Sequence, residues 1–294
     1  MEHEDPEERK KHELAMGISV KFPKHPDTLE IDKLRTHLPL FAHLFEDADL
    51  RIKNLKAATL FLPIKAEVRA FPLNHCITLL AYHADPKALS VDRGYLRTEN
   101  NVIVGNFTAT ELLILETRNS PIAVNVTLTN DPSKDLSDDA GDEHTGFSKL
   151  FIKTSNSPIH GNITLLADTE DSSGGKFSVD TFTTNSPLRI GFADAPVDST
   201  LRFIGLTSNS PAVAVMHPTF QGDFLVKSTL FGPKVDVDQD VEDPKGEGRT
   251  RTVDVSKVGR QIVGKVYWGS EDESKDAFGQ VELGSTLLSA TLKL

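Results

Sequence analysis

The sequence predicts a mainly β protein: a β-solenoid of stacked coils, each about 20 residues long, with inserted acidic loops. From Leu50 onward, apolar residues fall mostly at every second position, as in RIKNLKAATLFLPIKAEVRAF, which is typical of half-buried strands. A short motif containing Asn-Ser-Pro also recurs along the chain. The alternative is an antiparallel β-sandwich in which Asn-Ser-Pro marks the hairpin ends.

The motif has copies that align on an asparagine two residues after a threonine. They are TENNVIVGNF, TRNSPIAVNV, TSNSPIHGNI, TTNSPLRIGF and TSNSPAVAVM, with asparagines Asn100, Asn119, Asn156, Asn185 and Asn209 and threonines Thr98, Thr117, Thr154, Thr183 and Thr207. The asparagines are separated by 19, 37, 29 and 24 residues, and the longer separations contain acidic or Gly-rich insertions. Asparagine tolerates turn conformations and proline fixes φ, so the motif predicts a bend between two strands.

The residues around each bend predict which face is buried. Positions three, five and seven after the asparagine are apolar or small in every copy, and six before it stand Leu113, Leu150, Val179 and Phe203. Each unit therefore contributes two strands, and parallel stacking would place equivalent threonines and asparagines above one another as a structural ladder. Beyond residue 225, KSTLFGPKVDVD, GRQIVGKVYWG and GQVELGSTLLSATLKL are interpreted as further units, with a charged loop between the first two.

We divide the chain into three parts. Residues 1–16 are a charged, flexible N-terminal arm, and residues 17–49 form a mixed cap segment that can hold a strand and one short helix. Residues 50–294 form the solenoid domain. The first residues, MEHEDPEERKKHEL, do not resemble a signal peptide, so the sequence as written predicts a cytoplasmic protein, secreted only if a leader has been trimmed away.

Charge and composition restrict the partners. The 294 residues carry 32 Lys and Arg against 43 Asp and Glu, a net charge of −11, which opposes binding to nucleic acid or to an anionic membrane. No apolar run approaches the roughly 20 residues that span a bilayer. The single cysteine, Cys76, has no second thiol for a disulfide within the chain, and we interpret it as a buried apolar residue.

Candidate chemical sites are few. In VDVDQD, Asp236, Asp238 and Asp240 alternate as calcium ligands can, but the glycine of a calcium-binding loop is missing, so we predict a solvated loop and no metal or other cofactor. The same interpretation applies to the acidic insertion after Asn130. Three Asn-x-Thr triplets, at Asn106, Asn125 and Asn162, occupy one outward column and are interpreted as strand residues, not glycan acceptors.

The catalytic residues are unknown, because the sequence has no recognisable nucleophile elbow, zinc-protease motif or phosphate-binding loop. The outward positions near the bends carry Thr, Asn and Ser in place of converging acids and bases. The lone tryptophan, Trp268, is interpreted as covering the apolar end of the stack; an exposed contact is the alternative.

The repeated T-x-N-S-P-I units, the GKVYWG segment and GQVELGSTLLSATLKL together resemble adhesin-like β-solenoid proteins of unknown function that are encoded in many fungal genomes. The resemblance covers residues 50–294 and implies a fold, with no catalytic residues to transfer. We therefore expect a non-enzymatic binding or scaffold protein whose ligand, a carbohydrate or a protein, is unknown. The alternatives are a carbohydrate-active β-helix enzyme that uses loop carboxylates and a self-associating structural protein.

Overall fold

The computed structural model describes residues 29–45, 50–66, 88–133, 146–270 and 278–294, and within these ranges the chain is mainly β and contains no helix. The arm at residues 1–16, Cys76 and most of the acidic insertion at 134–145 lie outside the described residues. The strands are β1 Leu29–His37, β2 His43–Phe45, β3 Leu50–Ala58, β4 Ile64–Ala66, β5 Leu89–Arg97, β6 Ile103–Glu116, β7 Ile122–Asn130, β8 Ser148–Lys153, β9 Ile159–Ala167, β10 Lys176–Phe182, β11 Leu188–Asp194, β12 Thr200–Thr207, β13 Ala212–Val215, β14 Gly222–Ser228, β15 Lys234–Asp236, β16 Arg251–Val258, β17 Gln261–Trp268, β18 Gly279–Ser285 and β19 Ala290–Lys293.

The strands form one large mixed sheet in which two series of pairings, here called the first and second ladders, run side by side. The first ladder has the order β1, β3, β5, β6, β8, β10, β12, β18, β14, β17, β16. The second has the order β2, β4, β6, β7, β9, β11, β13, β19, β15. The long strand β6 belongs to both, because its first half pairs with β7 and its second half with β8.

Strand pairing is parallel throughout both ladders except at β17, which is antiparallel to β14 and to β16. Within the described ranges, the strands on either side of an Asn-Ser-Pro bend therefore do not form an antiparallel hairpin. Each bend connects a first-ladder strand to a second-ladder strand, and its neighbours along the stack are the bends of other units.

The core lies on the inner faces of the two ladders. One fully buried column of the second ladder consists of Ile64, Ile103, Ile122, Ile159, Leu188, Ala212 and Ala290. The facing column of the first ladder contains Leu55, Leu113, Leu150, Val179, Phe203, Val281 and Phe224. All these residues belong to one hydrophobic cluster, and burying each of the Val, Leu, Ile and Phe side chains contributes about 1.5–3 kcal/mol.

Segment 17–49 contributes strands to the same sheet. In its described part, β1 pairs in parallel register with β3, from Leu29 opposite Leu50 to His37 opposite Ala58. His43 occupies the second-ladder column that continues as Ile64, and its burial lowers the pKa of the imidazole.

The strand order departs from the chain order after β13. Strand β18 lies between β12 and β14, and β19 lies between β13 and β15. The unit formed by β18 and β19 is therefore inserted ahead of the β14–β15 unit, which precedes it in the chain. This insertion places β14 against the β16–β17 hairpin at the end of the first ladder.

The interpretation of GRQIVGKVYWG as a further repeat unit is wrong. This segment contains β17, the second strand of an antiparallel hairpin that begins with β16 and turns at Gly259 and Arg260. Gly259 has a φ of 61°, a conformation that glycine adopts without a steric cost, and the turn reverses the chain between Val258 and Gln261. In contrast, GQVELGSTLLSATLKL does supply a strand pair, β18 and β19.

Across the ranges that the structure describes, no helix has the length and hydrophobicity of a membrane span.

Candidate functional site

The predicted ladder residues lie in successive bends that contact one another. The backbone N–H of each asparagine donates a hydrogen bond to the preceding bend. The acceptor is the carbonyl oxygen of the residue just before that bend's own asparagine position, as when Asn119 donates to Glu99, the residue before Asn100. The N···O distances are 3.0 Å for Asn100, 2.9 Å for Asn119, 3.0 Å for Asn156, 3.0 Å for Asn185 and 2.8 Å for Asn209. The column continues on one side to Phe61 and Leu40 and on the other to Leu287, all of them exposed.

The asparagine side chains form a hydrogen-bonded ladder along the edge of the sheet. In each pair, the Nδ2 group donates to the Oδ1 atom of the preceding asparagine. The distances are 2.7 Å from Asn119 to Asn100, 2.7 Å from Asn156 to Asn119, 2.7 Å from Asn185 to Asn156 and 2.6 Å from Asn209 to Asn185. An asparagine in the middle of this series both donates and accepts, so its amide is oriented by two neighbours.

Threonine and serine hydroxyls of the bends also donate hydrogen bonds to the preceding bend. Thr117, Thr154, Thr183 and Thr207 are buried, and each hydroxyl donates to a backbone carbonyl of the preceding bend over 3.2–3.4 Å. Ser157, Ser186 and Ser210 donate to the carbonyl oxygen of the preceding asparagine over 2.8–3.0 Å. Thr98 differs, because its buried hydroxyl has no hydrogen-bond partner among the described residues. These side chains bind each bend to the next and present no converging chemical groups.

The Asn-x-Thr triplets lie in register on the second ladder. Asn106 pairs with Asn125, and Asn125 with Asn162, while the Asn125 Nδ2 group donates to Asn106 Oδ1 over 2.8 Å. At least two of these amides are thus engaged along the ladder.

Of the three aspartates considered as candidate cation ligands, two have other partners. The Asp236 carboxylate lies 2.7 Å from Lys234 Nζ, and the Asp238 carboxylate accepts the Asp240 backbone N–H over 3.0 Å. Since β15 ends at Asp236, the alternation in the sequence does not continue as a strand that would keep the carboxylates on one face. No group of three or more His, Cys, Asp or Glu side chains in the described chain is arranged to share a metal ion.

A groove of about 650 Å³ lies on the outer face of the first ladder, where β12, β18, β14, β17 and β16 are adjacent. Its polar row, one residue from each strand in that order, consists of Arg202, Gln280, Asp223, Lys265 and Asp254. Its mixed row consists of Ile204, Glu282, Leu225, Val263 and Ser256. Neighbouring strands lie about 4.8 Å apart, so each row extends for about 19 Å.

The charges of the groove largely compensate one another. Lys265 Nζ lies 3.9 Å from Asp223 Oδ1, Arg202 lies 3.6 Å from Asp180, and Glu282 contacts Lys227. Asp223 is therefore near a cation on the next strand, and Glu282 has its own lysine partner. The groove offers hydrogen-bond donors and acceptors over its whole length without a strong net charge.

Sequence reasoning missed this groove because it depends on the strand order. Gln280 and Asp223 are separated by the β16–β17 hairpin in the chain, and they become neighbours only because β18 is inserted beside β14. The local signal was the alternation in TVDVSKV at residues 252–258, followed by Gly259. That pattern indicates a strand and a turn, from which the hairpin was predictable.

Trp268 is buried, with 2% of its surface exposed, and it lies at the end of β17. Its Nε1–H donates to the Pro218 carbonyl over 3.3 Å, and the Arg249 guanidinium lies 5.9 Å from the ring centroid. The alternative of an exposed contact at Trp268 is therefore wrong.

Comparison of the chain with protein-family models, with curated proteins and with solved structures finds no match in any of the three.

Proposed function

We propose that the chain is an adhesin-like β-solenoid that binds a neutral, hydroxyl-rich glycan in the outer groove and does not cleave it. The solenoid is supported by the parallel register of the repeated units in both ladders. The bends, whose polar side chains bond to each other, serve as the scaffold in this proposal.

The observation that carries the binding proposal is the polar row that crosses five adjacent strands. A groove about 19 Å long is suited to an extended ligand with several repeating groups, because each strand offers one polar residue per step. Sugar hydroxyls both donate and accept hydrogen bonds. Carboxylates such as Asp223 can accept from them, and the side chains of Arg202 and Lys265 can donate to them.

The charge balance favours a neutral glycan over a polyanion or polycation. Arg202 and Lys265 stand against Asp223 and Asp254, and Glu282 is balanced by Lys227 outside the rows. A protein ligand would ordinarily insert a large side chain into an enclosed apolar pocket. The outward apolar residues of the groove, Ile204, Leu225 and Val263, are half-buried members of an otherwise polar surface.

The enzyme alternative would need a carboxylic acid that remains protonated beside a second carboxylate. Asp223 and Glu282 are diagonal neighbours on β14 and β18, but each carboxylate has a lysine partner, Lys265 for Asp223 and Lys227 for Glu282. Self-association remains the third candidate, and it is favoured by β16, an edge strand with Val255 and Val258 exposed.

A glycan array probed with and without calcium tests the proposal. The expected result is calcium-independent binding to a neutral glycan that the double substitution Asp223→Ala and Gln280→Ala weakens about tenfold or more. Arg189→Ala, an outward change on the second ladder away from the groove, serves as the matched control and should bind normally.

Three outcomes would overturn the proposal. Release of new reducing ends from the bound glycan would establish the enzyme alternative. A mass that grows with protein concentration in light scattering, with no glycan bound, would establish self-association. Binding that is identical in the double variant and the wild type would place the glycan outside the groove.

A further inference from the structure

Three turns meet at one corner of the sheet, near the end of the first ladder. They are the β14–β15 bend at residues 229–233, the β18–β19 bend at residues 286–289 and the turn between β16 and β17. Ser228 joins them, because its hydroxyl donates to the Leu288 carbonyl over 2.6 Å and its backbone N–H donates to the Arg260 carbonyl over 3.3 Å. We call these three turns the terminal corner.

The terminal corner exposes four large apolar side chains. The exposed fractions are 62% for Leu230, 67% for Phe231, 61% for Val258 and 44% for Leu287. Leu230 and Leu287 occupy equivalent positions in their bends, and asparagine stands at this position in the middle of the stack. Exposed apolar side chains on neighbouring turns commonly mark a surface that meets a partner or a membrane.

Basic residues surround these apolar side chains. The segments that form the corner, KSTLFGPK at 227–234, VSKVGRQI at 255–262 and LGSTLLSAT at 283–291, contain no Asp or Glu and four basic residues, which are Lys227, Lys234, Lys257 and Arg260. Two of the lysines contact the Glu282 and Asp236 carboxylates, which lie outside the segments, whereas Lys257 and Arg260 are exposed. The corner therefore carries positive charge, although the net charge of the whole chain is −11.

The acidic residues on the outer face of β14 and β16 lie away from the turns. Asp254 precedes Val258 by four residues on β16, and Asp223 precedes Lys227 by four residues on β14, which places each about 13 Å along its strand. Exposed charges separated by more than about 8 Å are largely screened at physiological ionic strength. These carboxylates therefore weaken the positive potential of the corner only slightly.

The shape of the corner favours a bilayer over a protein partner. Its apolar side chains project from three separate turns, and Phe231 is the most exposed large apolar side chain of the described residues. A protein partner would need a matching pocket for each projecting side chain, because the anchoring residues of protein interfaces are enclosed. A bilayer receives such side chains between its headgroups without a match, and its anionic lipids attract Lys and Arg.

We propose that the terminal corner docks the protein on an anionic lipid surface. Leu230 and Phe231 enter the boundary between the headgroups and the acyl chains. Lys257 and Arg260 contact the phosphate groups of the lipids beside them. None of these four residues lines the groove, so the proposal does not depend on the binding of a glycan there.

Co-sedimentation of the full chain with vesicles tests the proposal. Two compositions are compared: phosphatidylcholine alone, and an equimolar mixture of phosphatidylcholine and phosphatidylserine. The protein should bind the mixture about tenfold or more tightly than phosphatidylcholine alone. Added salt should reduce this preference, because it screens the attraction between the basic side chains and the headgroups.

Two double substitutions separate the apolar and the basic contributions. Leu230→Ser with Phe231→Ser should weaken binding to the mixed vesicles about tenfold or more, because two apolar side chains no longer enter the bilayer. Lys257→Gln with Arg260→Gln should remove most of the preference for the mixture. Thermal melts establish that each variant is folded.

Phe61→Ser is the matched control. Phe61 is 55% exposed and stands at the equivalent position of the Thr59–Pro63 bend, which contains no basic residue, so vesicle binding should be unchanged. A tryptophan at the same two positions reports insertion directly. The emission of Phe231→Trp should shift to shorter wavelength when mixed vesicles are added, and that of Phe61→Trp should not, over the constant emission of the buried Trp268.

Folded wild-type protein that fails to bind the mixed vesicles at low salt would overturn the proposal. An equal loss of binding in Phe61→Ser and in Leu230→Ser with Phe231→Ser would overturn it too, because binding would then not be specific to the corner. A mass that grows with protein concentration without vesicles, and that the Leu230 and Phe231 substitutions reduce to the monomer, would assign the corner to a second copy of the chain. The groove variant Asp223→Ala with Gln280→Ala should bind vesicles normally, so this result is distinguishable from that of the glycan array.

Discussion

Gly279 in β18 pairs with Gly222 in β14 at a point where neither backbone has room for a side chain. A Cβ on Gly222 would lie 2.2 Å from the Gly279 carbonyl oxygen, and a Cβ on Gly279 would lie 2.4 Å from the Leu201 carbonyl oxygen of β12. Gly222 also has a φ of 149°, which L side chains rarely adopt. This close approach is where the inserted strand enters between β12 and β14.

Gly279→Ala should therefore destabilise the protein by about 2–4 kcal/mol, because the new methyl group meets backbone atoms that cannot rotate away. Gly191→Ala is the matched control: it is also a strand glycine, but its Cβ would approach only the Asn162 Oδ1 atom, at 3.5 Å. Urea denaturation followed by far-UV circular dichroism measures both. Equal costs for the two variants would contradict the close approach seen at β18.

Replacing a central member of the asparagine ladder should cost more than replacing a terminal one. Asn156→Leu removes two side-chain hydrogen bonds, one to Asn119 and one from Asn185, whereas Asn209→Leu removes only the bond to Asn185. Each bond contributes about 0.5–1.5 kcal/mol, at the low end here because the asparagines are exposed. Leucine already occupies the equivalent position at Leu287, so the backbone accepts it.

The difference between these two leucine variants in the free energy of unfolding, measured in urea, is the test. If Asn209→Leu proves as costly as Asn156→Leu, the ladder bonds do not contribute to stability.

Arg249 should control the environment of the only tryptophan. Its guanidinium lies over the Trp268 ring and forms an ion pair with Asp243 at 2.7 Å, which together with backbone hydrogen bonds holds the pKa of Asp243 well below its usual range. Arg249→Ala removes both contacts, so we expect the Trp268 emission to shift to longer wavelength as water approaches the indole.

Lys257→Ala, an exposed change on β16, should leave the emission unchanged. An unshifted spectrum in Arg249→Ala would mean that Trp268 is enclosed without the arginine.

Stability should fall as the pH decreases from 6.5 towards 3 because of His217. Its pKa is about 3 in the folded chain and near 6.5 when unfolded, so over this interval the unfolded state binds a proton that the folded state excludes. The contribution of His217 to the free energy of unfolding is therefore fully present above pH 6.5 and is lost as the pH falls to the pKa of the folded state. The slope reaches about 1.4 kcal/mol per pH unit for one proton.

Denaturation at pH 7 and pH 4.5 measures this contribution, with His217→Phe as the variant that lacks the titrating group. The loss of stability between the two pH values should be smaller in the variant. A loss of the same size would assign the acid sensitivity to other groups, such as His43 and His160, whose pKa values burial also lowers.

The repeat was readable from the sequence where the bend residues carry their own turn chemistry. The strand periodicity around Asn119, Asn156 and Asn185 follows from side chains that alternate between core and solvent, and that alternation is local. The bends at Thr59–Pro63 and at Ser285–Ser289 could not be identified as copies of the motif from the sequence, because Phe61 and Leu287 stand at the asparagine position. Their backbone hydrogen bonds continue the same column, which residue identity alone does not reveal.

The groove could not be predicted, because it depends on which strands become neighbours. Asp223 meets Gln280 only through the insertion of β18.

The position of β18 also has a consequence for synthesis on the ribosome. Strand β14 emerges from the ribosome before β18, yet its parallel neighbour in the finished sheet is β18 and not β12. In a nascent chain that ends at β17, the position between β12 and β14 is therefore empty, or β12 and β14 pair with each other and must separate when β18 is inserted. Successive strands can pair in the order of translation as far as β13, but the pairing of β14 and β15 is completed only after β18 and β19 have been synthesised.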